Sequence, residues 1–311
     1  MRAVVVRSLG GPGKIEVIET PTPVPDPHEV LVRVVAAPLH PADFQSTSGM
    51  YVQFGAAAEA DQYGVGIDVA GIVEAVGADV STVAVGQPVI GLQERLDQRT
   101  ACQAEYVVLE EWAVAPAPKD VPWSEAAGLP LNGVTAWQAL DALAVPPTGW
   151  VLITGAAGAV GRLAVQLATL RGRRVLAQAR ESDENALREL GAVEFVSREE
   201  SLGPAVRALV PGGVDGVLDA ATMGVAAMDA VAHGGSYVSL LNSAPQQRRG
   251  ITSINWAYRT DRAQLGLVSA LSASGALSVA VAETIPLDDA RSAHERNAAG
   301  GARRGLLVLT P

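Results

Sequence analysis

The chain has 311 residues, 49% of them hydrophobic and 18% charged, a globular composition long enough for two domains. Its net charge of −10 argues against nucleic acid or an anionic membrane surface as the main partner, although a few local arginines can still serve an anionic cofactor. The single cysteine, Cys102, excludes an internal disulfide and a multi-cysteine zinc site.

The N-terminal "MRAVVVRSLGG" has only a short apolar run before Arg7, unlike a secretory signal, and no run approaches a membrane span. The expectation is a soluble cytoplasmic protein. "GPGK", from Gly11 to Lys14, lacks the outer residues of a phosphate loop and is read as a hairpin turn. "ETPTPVPDPHE" is too proline-dense for regular structure. "EVLVRVVAA", "GIDVAGIVEAVG", "GQPVIGL" and "QAEYVVLE" are Val-rich strands punctuated by Gly and Pro, which suggests a partly closed β-barrel. Between the first two lies "AAPLHPADFQSTSGMY", read as a loop holding His40, Asp43 and Tyr51. Asp43 follows Pro41 and is read as a cap.

The pattern changes near Pro116. From Trp150 to about Leu241, strands and helices alternate. "WVLITG" is a buried strand. Val160, Leu163, Ala164, Leu167 and Leu170 recur at helical spacing, with Gly172 as the stop. "RVLAQA" is the next strand, and "ENALREL" a helix. "GVDGVLDAA" is a strand, "GVAAMDAVA" a helix and "GSYVSLL" a strand. Such alternation implies a parallel sheet covered on both faces. Two helical stretches follow Asp261, and "RRGLLVLT" closes the chain as a strand.

"VLITGAAGAVG" carries the main chemical signal. It is a modified G-x-G-x-x-G fingerprint with Ala156, Gly158 and Gly161 at its three key positions, placed between a strand and a helix. Gly158 admits a pyrophosphate, Gly161 lets helix and strand pack closely, and the helix N-terminus offers unpaired N–H groups. Gly155, Ala159 and Val160 complete the cofactor-binding stretch. The alternative is a glycine-rich turn without a ligand. An NAD site would carry Asp or Glu at the tip of the second strand, about twenty residues on. Here that strand ends in Gln178, Ala179 and Arg180, with Glu181 next. Arg180 can pair with a 2′-phosphate, so the cofactor expected is NADPH.

With these motifs in place, the sequence resembles the medium-chain dehydrogenase/reductase superfamily, in its zinc-independent quinone-oxidoreductase-like branch. The resemblance rests on "AAPLHPADFQ", "GIDVAGIVEAVGADVSTVAVGQPVIG", "AEYVVL", "AAGLPLNGVTAWQAL", "VLITGAAGAVGRLAVQLA" and "PLDDARSAHERNAAGGARRGLLVL". It implies an α/β protein with a GroES-like β-barrel catalytic domain at 1–117 and 262–311 and a Rossmann doubly wound parallel sheet at 118–261. It also implies an active site in the cleft between them and a homodimer.

The zinc enzymes of that superfamily carry Cys at the position of His40 and Gly-His-Glu where this chain has Gly66, Ile67 and Asp68. No metal is therefore expected. Zinc-free relatives usually have Asn in place of His40. His40 is read either as a donor to a substrate carbonyl or as a group satisfying its own loop. Tyr51 resembles the proposed proton donor of zinc-free enoyl-thioester reductases; the alternatives are an exposed loop Tyr or one that only packs on the nicotinamide. Asn132 and Thr135 of "PLNGVTAW" are expected at the nicotinamide ring. His28, His233 and His294, placed in the Pro-rich connection and on helical stretches, are assigned no chemistry.

The activity implied is hydride transfer from NADPH to a small quinone or α,β-unsaturated carbonyl, whose conjugation removes the need for a Lewis acid. An enoyl-thioester or polyketide-tailoring reductase, or an NADPH-binding protein with little catalysis, stands as the alternative.

Overall fold

The computed structural model describes residues 1–300 and 304–311. It divides into two compact units, Met1–Leu131 with Thr260–Pro311, and Asn132–Arg259. Residues 118–131, expected in the nucleotide-binding domain, belong to the first unit instead. The helix Trp123–Ala127 packs on the strands Glu29–Pro38 and Asp68–Val76, and the Leu131 N–H donates to the Asp68 carboxylate at 3.0 Å.

In the first unit, Arg2–Val6 and Ile15–Glu19 form an antiparallel hairpin closed by the 3₁₀ turn Pro12–Lys14. The larger sheet runs, in spatial order, Val281–Pro286, Leu306–Thr310, Glu29–Pro38, Asp68–Val76, Pro88–Leu92, Val114–Pro116. Tyr106–Glu110 also pairs with Glu29–Pro38. Valines make this core, among them Val32, Val69, Val73, Val89 and Val107. They are the β-branched residues that fit a pleated surface.

The second unit is a six-stranded parallel sheet. Its spatial order is Ala192–Ser197, Arg174–Ala179, Trp150–Thr154, Val214–Asp219, Val231–Ser239, Thr252–Asn255. The strand order therefore reverses between Trp150–Thr154 and Val214–Asp219, the doubly wound arrangement that binds ligands beyond the carboxyl ends of those strands. Both strands are largely buried, and Trp150–Thr154 reads as a nearly continuous apolar run for that reason. Leu152, Leu176, Val206, Val217 and Tyr237 lie in the core beneath.

Four local expectations change. The stretch after Leu39 is not a loop. Pro41–Ser48 and Met50–Gln53 are helices separated by Gly49, and Pro41 at the first helical position starts the first. "GVAAMDAVA" is helical only over Val225–Met228, because Val231 already pairs with Val214 in the parallel ladder. His233 accordingly sits exposed on a strand rather than on a helix. The closing strand starts at Leu306, and Arg303 of the expected run lies outside the described residues.

Candidate functional site

The glycine loop leaves the sheet at Thr154 and enters the helix Ala159–Leu170. Gly155 has φ +59°, a backbone conformation that a side chain resists. At Gly161 a Cβ would lie 2.3 Å from the Gly155 carbonyl oxygen and 2.8 Å from Ala156 Cα, so only glycine lets this helix approach the loop. Gly158 is the N-cap, exposed, and no side chain caps the helix. Ala159 and Val160 are partly open to solvent while Ala156 is buried. Unpaired N–H groups at an open helix start attract anions.

The tip of Arg174–Ala179 is tied to this loop. The Ala156 N–H donates to the Gln178 carbonyl at 3.0 Å, and the Gly155 N–H to Gln178 Oε1 at 3.3 Å. Gln178 thus occupies the strand tip as a buried amide that supports the loop. Arg180 follows, partly exposed, as the N-cap of the 3₁₀ turn Glu181–Asp183. Asn132 and Thr135, both buried, lie on the helix Pro130–Leu143. These features fit a dinucleotide: a cradle that a Cβ would fill, an uncapped helix start and a cation after the second strand.

Tyr51 and His40 belong to the first unit. Tyr51 sits half-buried on the helix Met50–Gln53. Burial, and then the charge of Asp43, pushes its hydroxyl up to about 12. The group is therefore protonated at physiological pH and can donate.

His40 is 2% exposed, and its Nε2–H donates to Asp68 Oδ2 at 3.0 Å. Burial disfavours the imidazolium, but the Asp68 carboxylate and its hydrogen bond outweigh it and raise the His40 pKa. Asp43 is the cap expected of it. Its Oδ2 accepts from the His40 N–H at 2.8 Å and from Gln103 Nε2 at 3.2 Å. Its Oδ1 is buried without a hydrogen-bond partner among the described residues. His294 Nε2–H donates to Gln103 Oε1 at 2.7 Å.

Asp68 and Gln103 were not singled out as partners in the sequence. Asp68 stands 28 positions from His40 and Gln103 191 from His294. Only the departure of residues 66–68 from Gly-His-Glu marked that segment. No group of three or more His, Cys, Asp or Glu among the described residues could hold a metal ion. No helix among them is long and apolar enough to cross a membrane.

A GroES-like unit with a doubly wound sheet and a glycine loop defines a nicotinamide-dinucleotide-binding fold. Residues 26–119 match the family described as alcohol dehydrogenase GroES-like domain, and residues 190–309 that described as zinc-binding dehydrogenase. The chain is 34% identical over 242 residues to the 2-methylene-furan-3-one reductase of Solanum lycopersicum, covering 73% of this chain and 60% of that protein. It thus spans about three fifths of that relative's length. A solved NAD-dependent alcohol dehydrogenase superposes with a TM-score of 0.88 at 29% identity, covering 100% of both chains. The quinone oxidoreductase of Coxiella burnetii does so with 0.85 at 26%, covering 100% of this chain and 99% of its own. The chain belongs to the medium-chain dehydrogenase/reductase superfamily, in its quinone-oxidoreductase-like branch.

Proposed function

We infer that this protein is a zinc-independent, NADPH-dependent oxidoreductase that reduces a quinone or an α,β-unsaturated carbonyl. The observation carrying this reading is the glycine loop at the reversal of strand order, beside a second strand that ends in Gln178 and Ala179 and is followed by Arg180. Bound NADPH supplies hydride from its C4 position. The loop Gly155–Gly161 and the helix start at Ala159 hold the pyrophosphate, and Arg180 takes the 2′-phosphate as a charge-assisted pair. Asn132 and Thr135 orient the nicotinamide end.

Tyr51 donates to the oxyanion that develops on the acceptor, since its hydroxyl keeps its proton. His40 is spoken for by Asp68 and has the weaker claim to that role. The donor set supports zinc independence: Ile67 offers no ligand, and His40 and Asp68 are bonded to each other. Without a Lewis acid the acceptor must already be activated by conjugation. The name of the tomato relative denotes a carbonyl conjugated to a double bond, and that of the Coxiella structure a quinone.

The test is NADPH consumption against a quinone, an enone and an enoyl thioester. Turnover well above background with the quinone or the enone is expected. NADPH binding without turnover on any of the three would make the protein a cofactor-binding protein. Turnover on the thioester alone would make it a tailoring reductase.

A further inference from the structure

Asp219, at the end of the strand Val214–Asp219, has no part in the reading above, yet its carboxylate is heavily bonded. It is completely buried. Burial works against its charge, but hydrogen bonds, first from Thr154 and Tyr237, hold its pKa below the usual carboxylate value.

Five donors converge on it. Thr154 Oγ1–H donates to Oδ1 at 2.6 Å, and the Tyr237 hydroxyl donates to Oδ2. The Ala221 and Met223 N–H groups reach Oδ1 at 3.1 Å each, and the Gly224 N–H reaches Oδ2 at 3.0 Å. Thr154 Oγ1 in turn accepts from the Ala220 N–H at 3.2 Å. The backbone of residues 220–224 is therefore fastened to one carboxylate and one hydroxyl. The fastening is strong enough to hold Thr222 at φ +55°, where a β-branched residue is strained.

The position of that turn decides what the fastening is for. Thr154 and Asp219 are register partners on the two strands between which the sheet order reverses. Thr154 immediately precedes Gly155. A Cβ on Gly155 would lie 3.1 Å from the Ala220 carbonyl oxygen and 3.2 Å from Ala221 Cβ. The turn thus packs directly against the glycine loop, at the point where the strand order reverses. Buried carboxylates that only stabilise a fold do not need to fix a turn at a ligand crevice.

We propose that Asp219 is a positioning residue of the dinucleotide site, which holds the 220–224 turn beside Gly155 so that the crevice is formed before the cofactor arrives. This rests on the dinucleotide reading given above. Asp219 does not itself touch the cofactor. Its effect passes through the turn, and Thr154 is its necessary partner.

The test is fluorescence titration of NADPH into the wild type and four variants, with steady-state kinetics on whichever acceptor is turned over. In Asp219→Asn an N–H group replaces the oxygen that accepts from Tyr237 and Gly224. Thr154→Val removes the hydroxyl and keeps the shape. Thr154→Ser restores the hydroxyl, and Tyr237→Phe removes one side-chain donor to Asp219 while leaving Thr154 and the three turn N–H groups bonded to it. Asp219→Asn and Thr154→Val should raise the Kd and KM for NADPH about tenfold or more, the loss of a charge-assisted hydrogen bond. At saturating NADPH, kcat and the acceptor KM should stay near wild type. Thr154→Ser should return the Kd to within about twofold, and Tyr237→Phe should change it by less than about threefold. A purely structural role predicts the opposite split: less folded protein and lower kcat, with the Kd of the folded fraction unchanged. That result in the two Thr154 variants, or equal Kd values for Thr154→Val and Thr154→Ser, would overturn the proposal. A wild type that binds neither NADPH nor NADH would overturn it together with the dinucleotide reading.

Discussion

His294 is a buried imidazole that the fold keeps neutral. Burial lowers its pKa from the ordinary 6.5 to about 4, and its Nε2–H is committed to Gln103. Between those two values the unfolded chain takes up a proton that the folded chain refuses. Stability from this group is therefore present at neutral pH and is lost as pH falls through the window, by about 3 kcal/mol in full. Asp43 acts in the opposite sense. Burial, more than any other cause, pushes its carboxyl from 3.8 up to about 6. The folded chain then keeps a proton that the unfolded chain has released. Its contribution is greatest below the ordinary value and falls as pH rises towards about 6, again by about 3 kcal/mol. The two groups nearly cancel in the wild type. His294→Gln keeps a donor for Gln103 Oε1 and removes the titration. As pH falls from neutrality to about 4, the wild type loses about 3 kcal/mol from this group and the variant does not, so the stability of the variant relative to wild type should become more favourable by that amount. Asp43→Asn should shift the other way over the same range. Urea unfolding followed by circular dichroism at about pH 4, 5, 6 and 7 reads both slopes; the difference between His294→Gln and wild type cancels other groups, whereas the Asp43→Asn difference also includes the response of His40 and Asp68, which feel the Asp43 charge. A difference that does not change with pH would refute the claim that burial holds His294 neutral.

Three further outcomes are expected. Tyr51→Phe removes only the hydroxyl, and should lower kcat roughly ten- to a thousandfold with little change in the NADPH Kd; an unchanged kcat would pass the role to His40, backbone groups or solvent. Gly161→Ala places a Cβ 2.3 Å from the Gly155 carbonyl oxygen. It should cost about 1–3 kcal/mol of stability by overpacking and weaken NADPH binding, as read by thermal unfolding and titration; wild-type values for both would show that the helix can move away freely. Elemental analysis after dialysis should find well under one zinc per chain, and a chelator should leave activity intact; stoichiometric zinc lost together with activity would contradict the reading of His40 and Asp68.

The doubly wound unit was legible because its signals are local. Continuous apolar runs such as Trp150–Thr154 and the glycines of the first turn report their surroundings directly. Thr252–Asn255, an edge strand with no fully buried residue, has no such run and was missed. Ala192–Ser197 and the helix Leu202–Leu209 also went unread; two short elements lie there between Gly191 and Gly212. The helix expected over "GVAAMDAVA" failed because ladder pairing with Val214 overrode a local pattern. Of the proposed site, the glycine loop and Arg180 follow from spacing along the chain. The partners of His40 and Asp219 do not. Asp68 lies 28 residues from His40, and Thr154 lies 65 residues from Asp219. Only tertiary structure brings such groups together, and nothing in the identity of an aspartate at a strand end tells how many donors it will meet.

This fold is expected to take NADPH, with Arg180 on its 2′-phosphate. Titration of NADPH and NADH into wild type and Arg180→Ala tests it most directly. A charge-assisted contact contributes about 1.5–3 kcal/mol, roughly ten- to a hundredfold in affinity. Arg180→Ala should weaken NADPH by that factor and NADH hardly at all, and the difference should shrink as salt is raised. Equal losses for both cofactors, or a wild type that prefers NADH, would contradict the account and point to Glu181 as the ribose ligand.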